Sequence, residues 1–238
     1  MRLEPSASQA PPGPVAVVFL AGTYEDVGYY AAWVARADLV VAADGAAAFL
    51  VSQGIRPDVV VGDLDSVSGE TLEKLACDGV EVVRHPVRKN ETDGELAVAE
   101  ARRRGAVEVL LAGALGALDH TLGHLAILRR LAAAGVAARL VSPRLTVRVF
   151  VAPAESHLDA EPPTRVSLVA LGGDALVTLE GLDYPLVRQT LPWDSCVGLG
   201  NAVAVSSSRV VVHEGTVAAL VASGEETFGG RPAGLAVK

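Results

Sequence analysis

Two hydrophobic patterns alternate along the first two thirds of the chain. Short apolar runs predict buried strands at VAVVFLA (15–21), LVVAA (39–43), VVV (59–61), VEVV (80–83), VEVLLAG (107–113) and ARLVS (138–142). Patterns with helical spacing lie between them, near 28–36, 45–53, 69–78, 93–104 and 120–134. This alternation is typical of an α/β domain, in which helices cover both faces of a mostly parallel sheet and the crossovers are right-handed.

The pattern changes after Pro143, where strand-like runs follow one another with no long amphipathic helix between them. Gly, Pro or Ser residues separate these runs, which are LTVRVFVA, RVSLVAL, ALVTLEG, AVAVSSS, RVVVHEG and TVAALVA. They predict a smaller antiparallel β domain, either a sandwich or a barrel. The chain is therefore expected to comprise a flexible Pro-rich leader, an α/β domain, a β domain and a tail, at 1–14, 15–143, 144–228 and 229–238.

Composition excludes several classes of partner. The formal net charge of −8 argues against nonspecific binding to nucleic acid or to an anionic membrane. No apolar run reaches the roughly 18 residues that a membrane span needs, and the leader lacks the apolar core of a signal peptide. Cys77 and Cys196 are isolated in the sequence, which argues against a structural zinc site and favours a reducing cytoplasm.

Acidic residues mark the predicted strand-to-helix turns of the α/β domain. They are Asp44, Asp63, Asp65, Asp93 and Asp119. Such turns gather at the carboxyl edge of an open parallel sheet, where ligands bind. A single aspartate at a helix start is also a good cap, so Asp44 and Asp119 are equally compatible with capping, and TDGE (92–95) matches a capping box.

The stretch GDLDS (62–66) is not explained by capping, because one helix start needs one cap. In an extended turn, Asp63 and Asp65 would point the same way and present two carboxylates to one point. Close anions repel unless a cation lies between them, and Mg²⁺ commonly binds one or two carboxylates together with substrate phosphates. A solvated loop is the alternative. Gly62 would let the backbone turn sharply and leave room near a ligand.

Several other site types are absent from the sequence. There is no GxxxxGK[ST] phosphate loop and no GxSxG elbow, and GALG (113–116) lacks the third glycine of a dinucleotide fingerprint. The five histidines show no spacing typical of a metal site or a catalytic triad. His120 and His124 share one helix face, for which ordinary polar roles are favoured.

The motifs taken together resemble the thiamine pyrophosphokinase (thiamine diphosphokinase) family. The resemblance rests on ADGAA (43–47), RPDVVVGDLDSV (56–67), KNETDGELAVAEA (89–101), LGALDHTLGHLAIL (115–128), EGLDYPL (180–186) and, more weakly, GLGNAVAV (198–205). It implies an α/β nucleotide-binding domain followed by a small β domain, in a homodimer. It also implies transfer of the pyrophosphoryl group of ATP to the hydroxyethyl oxygen of thiamine, with release of AMP.

Matching positions carry the family's expected roles to this sequence. The resemblance implies that Mg²⁺ is bound by Asp63, Asp65 and Asp93. It implies that ATP is bound by Asp44, Gly45, Asp63, Asp65, Lys89, Thr92 and Asp93, that catalysis involves Asp63, Asp65, Asp93 and Asp119, and that the substrate is bound by Asp119, Tyr184 and Asn201. Either Asp93 or Asp119 is a candidate to orient or deprotonate the alcohol.

Further residues near these positions have two open interpretations each. Arg84, Arg88 and Lys89 would hold phosphate oxygens or form a solvated basic loop. An aromatic face from Tyr184 or Trp193 would suit the thiazolium cation, although Trp193 fits the β-domain core as well.

The sequence also departs from the family pattern. The departures are Ala46 for a glycine, Asn90 for an acid, Ala117 for an arginine and Gly200 for a serine. They leave two alternatives open, a diphosphotransferase for another alcohol such as a hydroxymethylpterin, and a non-catalytic nucleotide or thiamine sensor.

Overall fold

The computed structural model describes residues 13–223. Most of the predicted leader, the last residues of the predicted β domain and the whole predicted tail lie outside this range. The chain divides into two compact units, an α/β unit that ends at Pro143 and a β unit that begins at Arg144. Among the described residues, no helix is both long and apolar enough to cross a lipid bilayer.

Strands and helices alternate through the α/β unit. In chain order they are β1 (Val15–Phe19), α1 (Val27–Val34), β2 (Leu39–Ala43), α2 (Ala46–Ser52), β3 (Val59–Gly62), α3 (Gly69–Cys77), β4 (Glu81–Arg84), α4 (Asp93–Arg103), β5 (Glu108–Ala112), α5 (Leu118–Ala133) and β6 (Ala137–Val141). The strands pair in parallel in the order β6-β5-β1-β2-β3-β4. The predicted α/β architecture is therefore confirmed.

The strands of this unit are apolar because they are covered on both sides. Every residue of β3 and β5 is buried. One set of alternating strand residues, which includes Phe19 and Val60, forms a core cluster with Tyr30, Leu50 and Leu75 from α1, α2 and α3. Helix α4 lies outside that cluster and packs against β1, β2 and β3. Continuous apolar runs in the sequence follow from this double cover.

The β unit consists of antiparallel strands in two sheets. The strands are β7 (Leu145–Val151), β8 (Ala154–His157), β9 (Arg165–Ala170), β10 (Ala175–Glu180), β11 (Leu186–Leu191), β12 (Asn201–Ala202), β13 (Arg209–Glu214) and β14 (Thr216–Ala222). One sheet has the order β12-β9-β14-β7 and the other β11-β10-β13-β8. Val166 and Leu168 of the first share a core cluster with Val177 and Val210 of the second. The unit is therefore a β-sandwich, one of the two predicted forms.

One strand prediction in this unit needs correction, and two of its strands were missed. The run AVAVSSS was expected to be a strand, but strand pairing ends at Ala202 apart from one bridge at Val203. The following backbone turns, because the N–H groups of Ala204 and Val205 both bind the Gly181 carbonyl. Strands β8 and β11 were not predicted. They are the outer strands of their sheet, and β11 buries only Leu191, so their sequences lack a marked apolar face.

A buried carboxylate on α4 gives a pH-dependent contribution to stability. Glu100 is buried and bonds to Arg103 and Arg104. The Arg103 guanidinium, helped by Arg104 and opposed by burial, lowers the pKa of Glu100 from its usual 4.5 to about 2. A lowered pKa in the folded state stabilises the protein above the usual value, and that stabilisation is lost as the pH falls from 4.5 towards 2.

Glu100→Gln is therefore expected to lower the free energy of unfolding at pH 7 by about 1–3 kcal/mol, because an ionic hydrogen-bond acceptor is lost. The difference between variant and wild type should shrink between pH 4.5 and about 2, which urea titrations at several pH values would measure. The exposed Glu73, on α3, supplies the control Glu73→Gln. A difference that stays constant over this pH range would contradict the ion-pair explanation.

Candidate active site

Three adjacent strands deliver carboxylates to one edge of the parallel sheet. Asp44 follows β2, Asp63 and Asp65 follow β3, and Asp93 begins α4 after β4. One carboxylate oxygen from each of Asp44, Asp63 and Asp65 lies within 4.8 Å of the other two. We call these three residues the acid cluster. The edge is the carboxyl edge, as the sequence predicted.

The turn after β3 brings Asp63 and Asp65 together by a different geometry from the extended one that was expected. Leu64 has a φ of 66° and is buried. The Asp65 N–H donates to Asp63 Oδ1 at 3.2 Å, so the carboxylate of Asp63 closes a turn around Leu64. The prediction of an extended turn was wrong, because the apolar Leu64 side chain turns into the core.

Gly62 creates space for two of the carboxylates. It has a φ of 155°, and a Cβ atom on it would lie 3.0 Å from Asp44 Cβ and 3.3 Å from Asp93 Oδ1. A side chain at residue 62 would therefore push Asp44 or Asp93 away. The room expected near a ligand is used by the acidic side chains themselves.

Asp44 does not act as a helix cap. The N-cap of α2 is Gly45, and no side chain caps this helix. Asp44 is only 7% exposed, and its Oδ1 atom has no hydrogen-bond partner among the described residues. A buried carboxylate oxygen without a partner is costly unless something positive binds it. The capping interpretation of Asp44 was therefore wrong.

Lys89 lies between two of the acids. Its Nζ atom is 3.2 Å from Asp63 Oδ2 and 2.7 Å from Asp93 Oδ1. The Asp65 N–H, followed by the Lys89 ammonium, lowers the pKa of Asp63 below its usual value. Asp93 and then Asp63 raise the pKa of Lys89, against the opposing effect of burial. Lys89 is thus held in its charged form.

The oxygen ligands of the acid cluster fit a hard divalent cation. Mg²⁺ prefers carboxylate oxygens and is commonly held by one or two of them together with phosphate. The unpartnered Asp44 Oδ1 points to the same requirement for a cation. Asp44 lies in this cluster with Asp63 and Asp65, whereas Asp93, the third metal ligand that the resemblance implied, is paired with Lys89.

Two other predicted site residues lie at helix starts. Thr92 caps α4: its hydroxyl accepts the Glu95 N–H, and the Glu95 carboxylate accepts the Thr92 N–H, so the predicted capping box is confirmed. Asp119 lies in the first turn of α5, and its Oδ1 accepts the His120 N–H at 2.8 Å. Asp119 therefore satisfies a free N–H of the helix, although the N-cap itself is Ala117.

In the β unit, Tyr184 and Asn201 are joined. Asn201 is buried, and its Oδ1 accepts the Tyr184 N–H at 3.0 Å while its Nδ2 donates to the Tyr184 carbonyl at 2.9 Å. The Tyr184 side chain is 48% exposed. Asn201 therefore fixes the backbone that presents this ring. Trp193 is 61% exposed, so of its two open interpretations the β-domain core is excluded.

The remaining polar candidates differ in whether their side chains already have a partner in the protein. His124 Nδ1 is 2.7 Å from the Ala114 carbonyl, a contact that ties α5 to the segment after β5. Burial lowers the pKa of His124, so the ring is neutral near pH 7. Arg84 and Arg88 are exposed, and within residues 13–223 neither forms an ion pair. The position of Lys89 was not foreseen, although its i,i+4 spacing from Asp93 is visible in the sequence.

Solved structures share this fold. The thiamine pyrophosphokinase of Bacillus subtilis aligns with a TM-score of 0.76 at 21% identity, over 88% of this chain and 99% of that one. The enzyme of Geobacillus thermodenitrificans aligns with a TM-score of 0.74 at 24% identity, over 89% and 98% of the two chains. The yeast thiamin pyrophosphokinase gives 0.75 at 16% identity, over 93% and 90%. No curated protein matches the chain significantly.

A family model extends the comparison from fold to function. Residues 30–140 match the model described as thiamin pyrophosphokinase, catalytic domain, and this range contains the acid cluster, Lys89 and Asp93. Such a catalytic domain is that of an ATP-dependent diphosphotransferase. Over residues 30–140, the α/β unit is therefore similar to the catalytic domain of the thiamin pyrophosphokinase family.

Proposed function

We propose that this protein is a thiamine diphosphokinase, which transfers the pyrophosphoryl group of ATP to thiamine and releases AMP. The observation that carries the proposal is the acid cluster of Asp44, Asp63 and Asp65 at the carboxyl edge of a sheet that matches the family's catalytic domain. In this proposal Mg²⁺ is the cofactor, and the protein acts as a homodimer in the cytoplasm.

The acidic edge would hold the donor. Asp44, Asp63 and Asp65 would be the ligands of Mg²⁺, with Asp93 as the further ligand that the sequence indicated. When bound, Mg²⁺ supplies charge neutralisation at the phosphates and orients them for in-line attack. Lys89 would bind phosphate oxygens, supported by the exposed Arg84 and Arg88 in place of the arginine missing at Ala117. Gly45 and Thr92 would contribute backbone groups beside the nucleotide.

Each unit offers groups that suit the acceptor. Asp119 would bind beside the hydroxyethyl group of thiamine, and Asp93 or Asp119 would take up the proton of the attacking alcohol. The exposed ring of Tyr184 suits the thiazolium cation. All but one of the hydrogen-bonding positions of the Asn201 amide are already used, so Asn201 would act by holding the Tyr184 backbone.

Incubation of the purified protein with thiamine, ATP and Mg²⁺ is expected to yield thiamine diphosphate and AMP in equal amounts. Chromatography would resolve both products. A panel with a hydroxymethylpterin and other alcohols tests the acceptor, and clear preference for one of them would overturn thiamine as the substrate. Tight ATP binding with no AMP from any acceptor would instead indicate a nucleotide sensor.

A further inference from the structure

Both carboxylate oxygens of Asp63 are already occupied by donors from the protein. Oδ1 accepts the Asp65 N–H at 3.2 Å, and Oδ2 faces the Lys89 ammonium, also at 3.2 Å. The side chains of Asp63 and Lys89 are each 11% exposed, so water screens this ion pair less than it would a fully exposed one. Asp44 Oδ1, in the same cluster, has no hydrogen-bond partner among the described residues. The negative charge of the acid cluster is thus partly neutralised by Lys89.

A divalent cation that binds the acid cluster must share Asp63 with Lys89 or displace it. Sharing places two cations on one carboxylate in a partly buried site, and their mutual repulsion raises the energy of the complex. Displacement leaves a partly buried ammonium that has lost one of its two acidic partners, because only Asp93, now at 2.7 Å, would still hold it. Either route weakens the binding of a cation that arrives alone.

Phosphate oxygens would remove this penalty. They offer the Lys89 ammonium a new anionic partner in place of Asp63, and at the same time they add ligands to the cation. We propose that Lys89 is an internal counter-ion that competes with the divalent cation for Asp63 and so couples binding of the cation to binding of the nucleotide. The coupling to nucleotide rests on the proposed function, whereas the competition at Asp63 does not.

Competition at Asp63 is tested by binding of Mn²⁺, which replaces Mg²⁺ and gives a paramagnetic resonance signal when free in solution. Titration of the protein with Mn²⁺ alone, without nucleotide or thiamine, is expected to show a dissociation constant at least about tenfold lower for Lys89→Met than for wild type, a factor in the usual range of coupling between sites. Unchanged or weaker binding would show that Lys89 instead orients Asp63 for the metal, and would overturn the proposal.

Two further variants control for charge and folding. Lys89→Arg keeps the positive charge and is expected to bind Mn²⁺ as weakly as wild type. Lys74→Met removes an exposed lysine on α3 and should leave the affinity unchanged. Melting temperatures report whether each variant is folded. If Lys89→Met does not fold, tighter Mn²⁺ binding by Lys89→Arg would by itself overturn the proposal, because the charge is then not the cause.

Coupling is tested by repeating the titration with a non-hydrolysable ATP analogue. The analogue is expected to raise the Mn²⁺ affinity of wild type by about 5- to 150-fold, and that of Lys89→Met by at least about fivefold less. Chelation of Mn²⁺ by the analogue is the same for both proteins and cancels in the comparison. Equal enhancement in both would overturn the coupling. Failure of wild type to bind the analogue would count against the proposed function, while the titration without nucleotide still decides the competition at Asp63.

Discussion

Replacing Asp63 with asparagine is expected to lower the rate of AMP formation by about 10²–10³-fold, the usual cost of removing one group that stabilises charge in a transition state. Asp63 is the one member of the acid cluster that also contacts Lys89. An amide removes the negative charge from the cation site and presents either a weaker acceptor or an opposing N–H to the ammonium. Initial rates at saturating thiamine and ATP, with Mg²⁺, measure the effect.

Asp78→Asn is the matched control, because Asp78 ends α3 at an exposed position outside the acid cluster. It should retain wild-type activity. The melting temperature of Asp63→Asn is expected to stay close to that of wild type, since the loss of an ion pair is partly offset by reduced repulsion from Asp44 and Asp65. If Asp63→Asn turned over at the rate of Asp78→Asn, the acid cluster would not be the catalytic centre.

Replacing Gly62 with alanine is expected to impair both stability and catalysis without touching a charged group. The added Cβ would lie 3.0 Å from Asp44 Cβ, a tight contact from which Asp44 must move by a few tenths of an ångström, and the φ of 155° is unfavourable for alanine. We expect a loss of about 1–3 kcal/mol in the free energy of unfolding, typical of local backbone strain. We also expect a fall in activity of at least about tenfold, because small displacements of catalytic groups are costly.

Gly54→Ala is the control that separates the effect of an unfavourable backbone conformation from the effect of a steric clash. Gly54 has a φ of 68° but nothing within 4 Å of its missing Cβ, so alanine there brings strain with no contact. We expect this variant to lose roughly 1 kcal/mol of stability and to keep its activity. Denaturant titrations and rate measurements on both variants give the comparison. Equal losses of activity in the two would show that the crowding around Asp44 does not matter.

Sequence patterns predicted those parts of the fold in which local and long-range forces agree. LVVAA is a strand from Leu39 to Ala43 because it is apolar and all but its first residue are buried, and α4 begins at the predicted capping box. The outer strands β8 and β11 were missed because polar and exposed residues dominate them. Their pairing is decided by neighbours distant in sequence, which no local pattern contains.

The candidate site shows the same division. The order of strands and acids placed Asp44, Asp63, Asp65 and Asp93 at one edge, since parallel strands end on the same side. The grouping within that edge depended on details that spacing does not encode. The Leu64 side chain packs in the core, Gly62 leaves space for the Asp44 side chain, and Lys89 forms an ion pair with Asp93. Each is a tertiary contact between segments that the sequence presents separately.

The contact between Gly62 and Asp44 also constrains how strands β2 and β3 align. Ala43 pairs with Val61, so the next step along both strands brings Asp44 beside Gly62. A slip of one residue would set Val61 or Asp63 against Asp44, with a bulky side chain or a second negative charge where even a Cβ atom would be crowded. Gly62 therefore helps to fix the register of β2 and β3, since the two strands fit together at the carboxyl edge in a single alignment. A misaligned pairing of β2 and β3 would therefore be less stable even in the absence of a ligand.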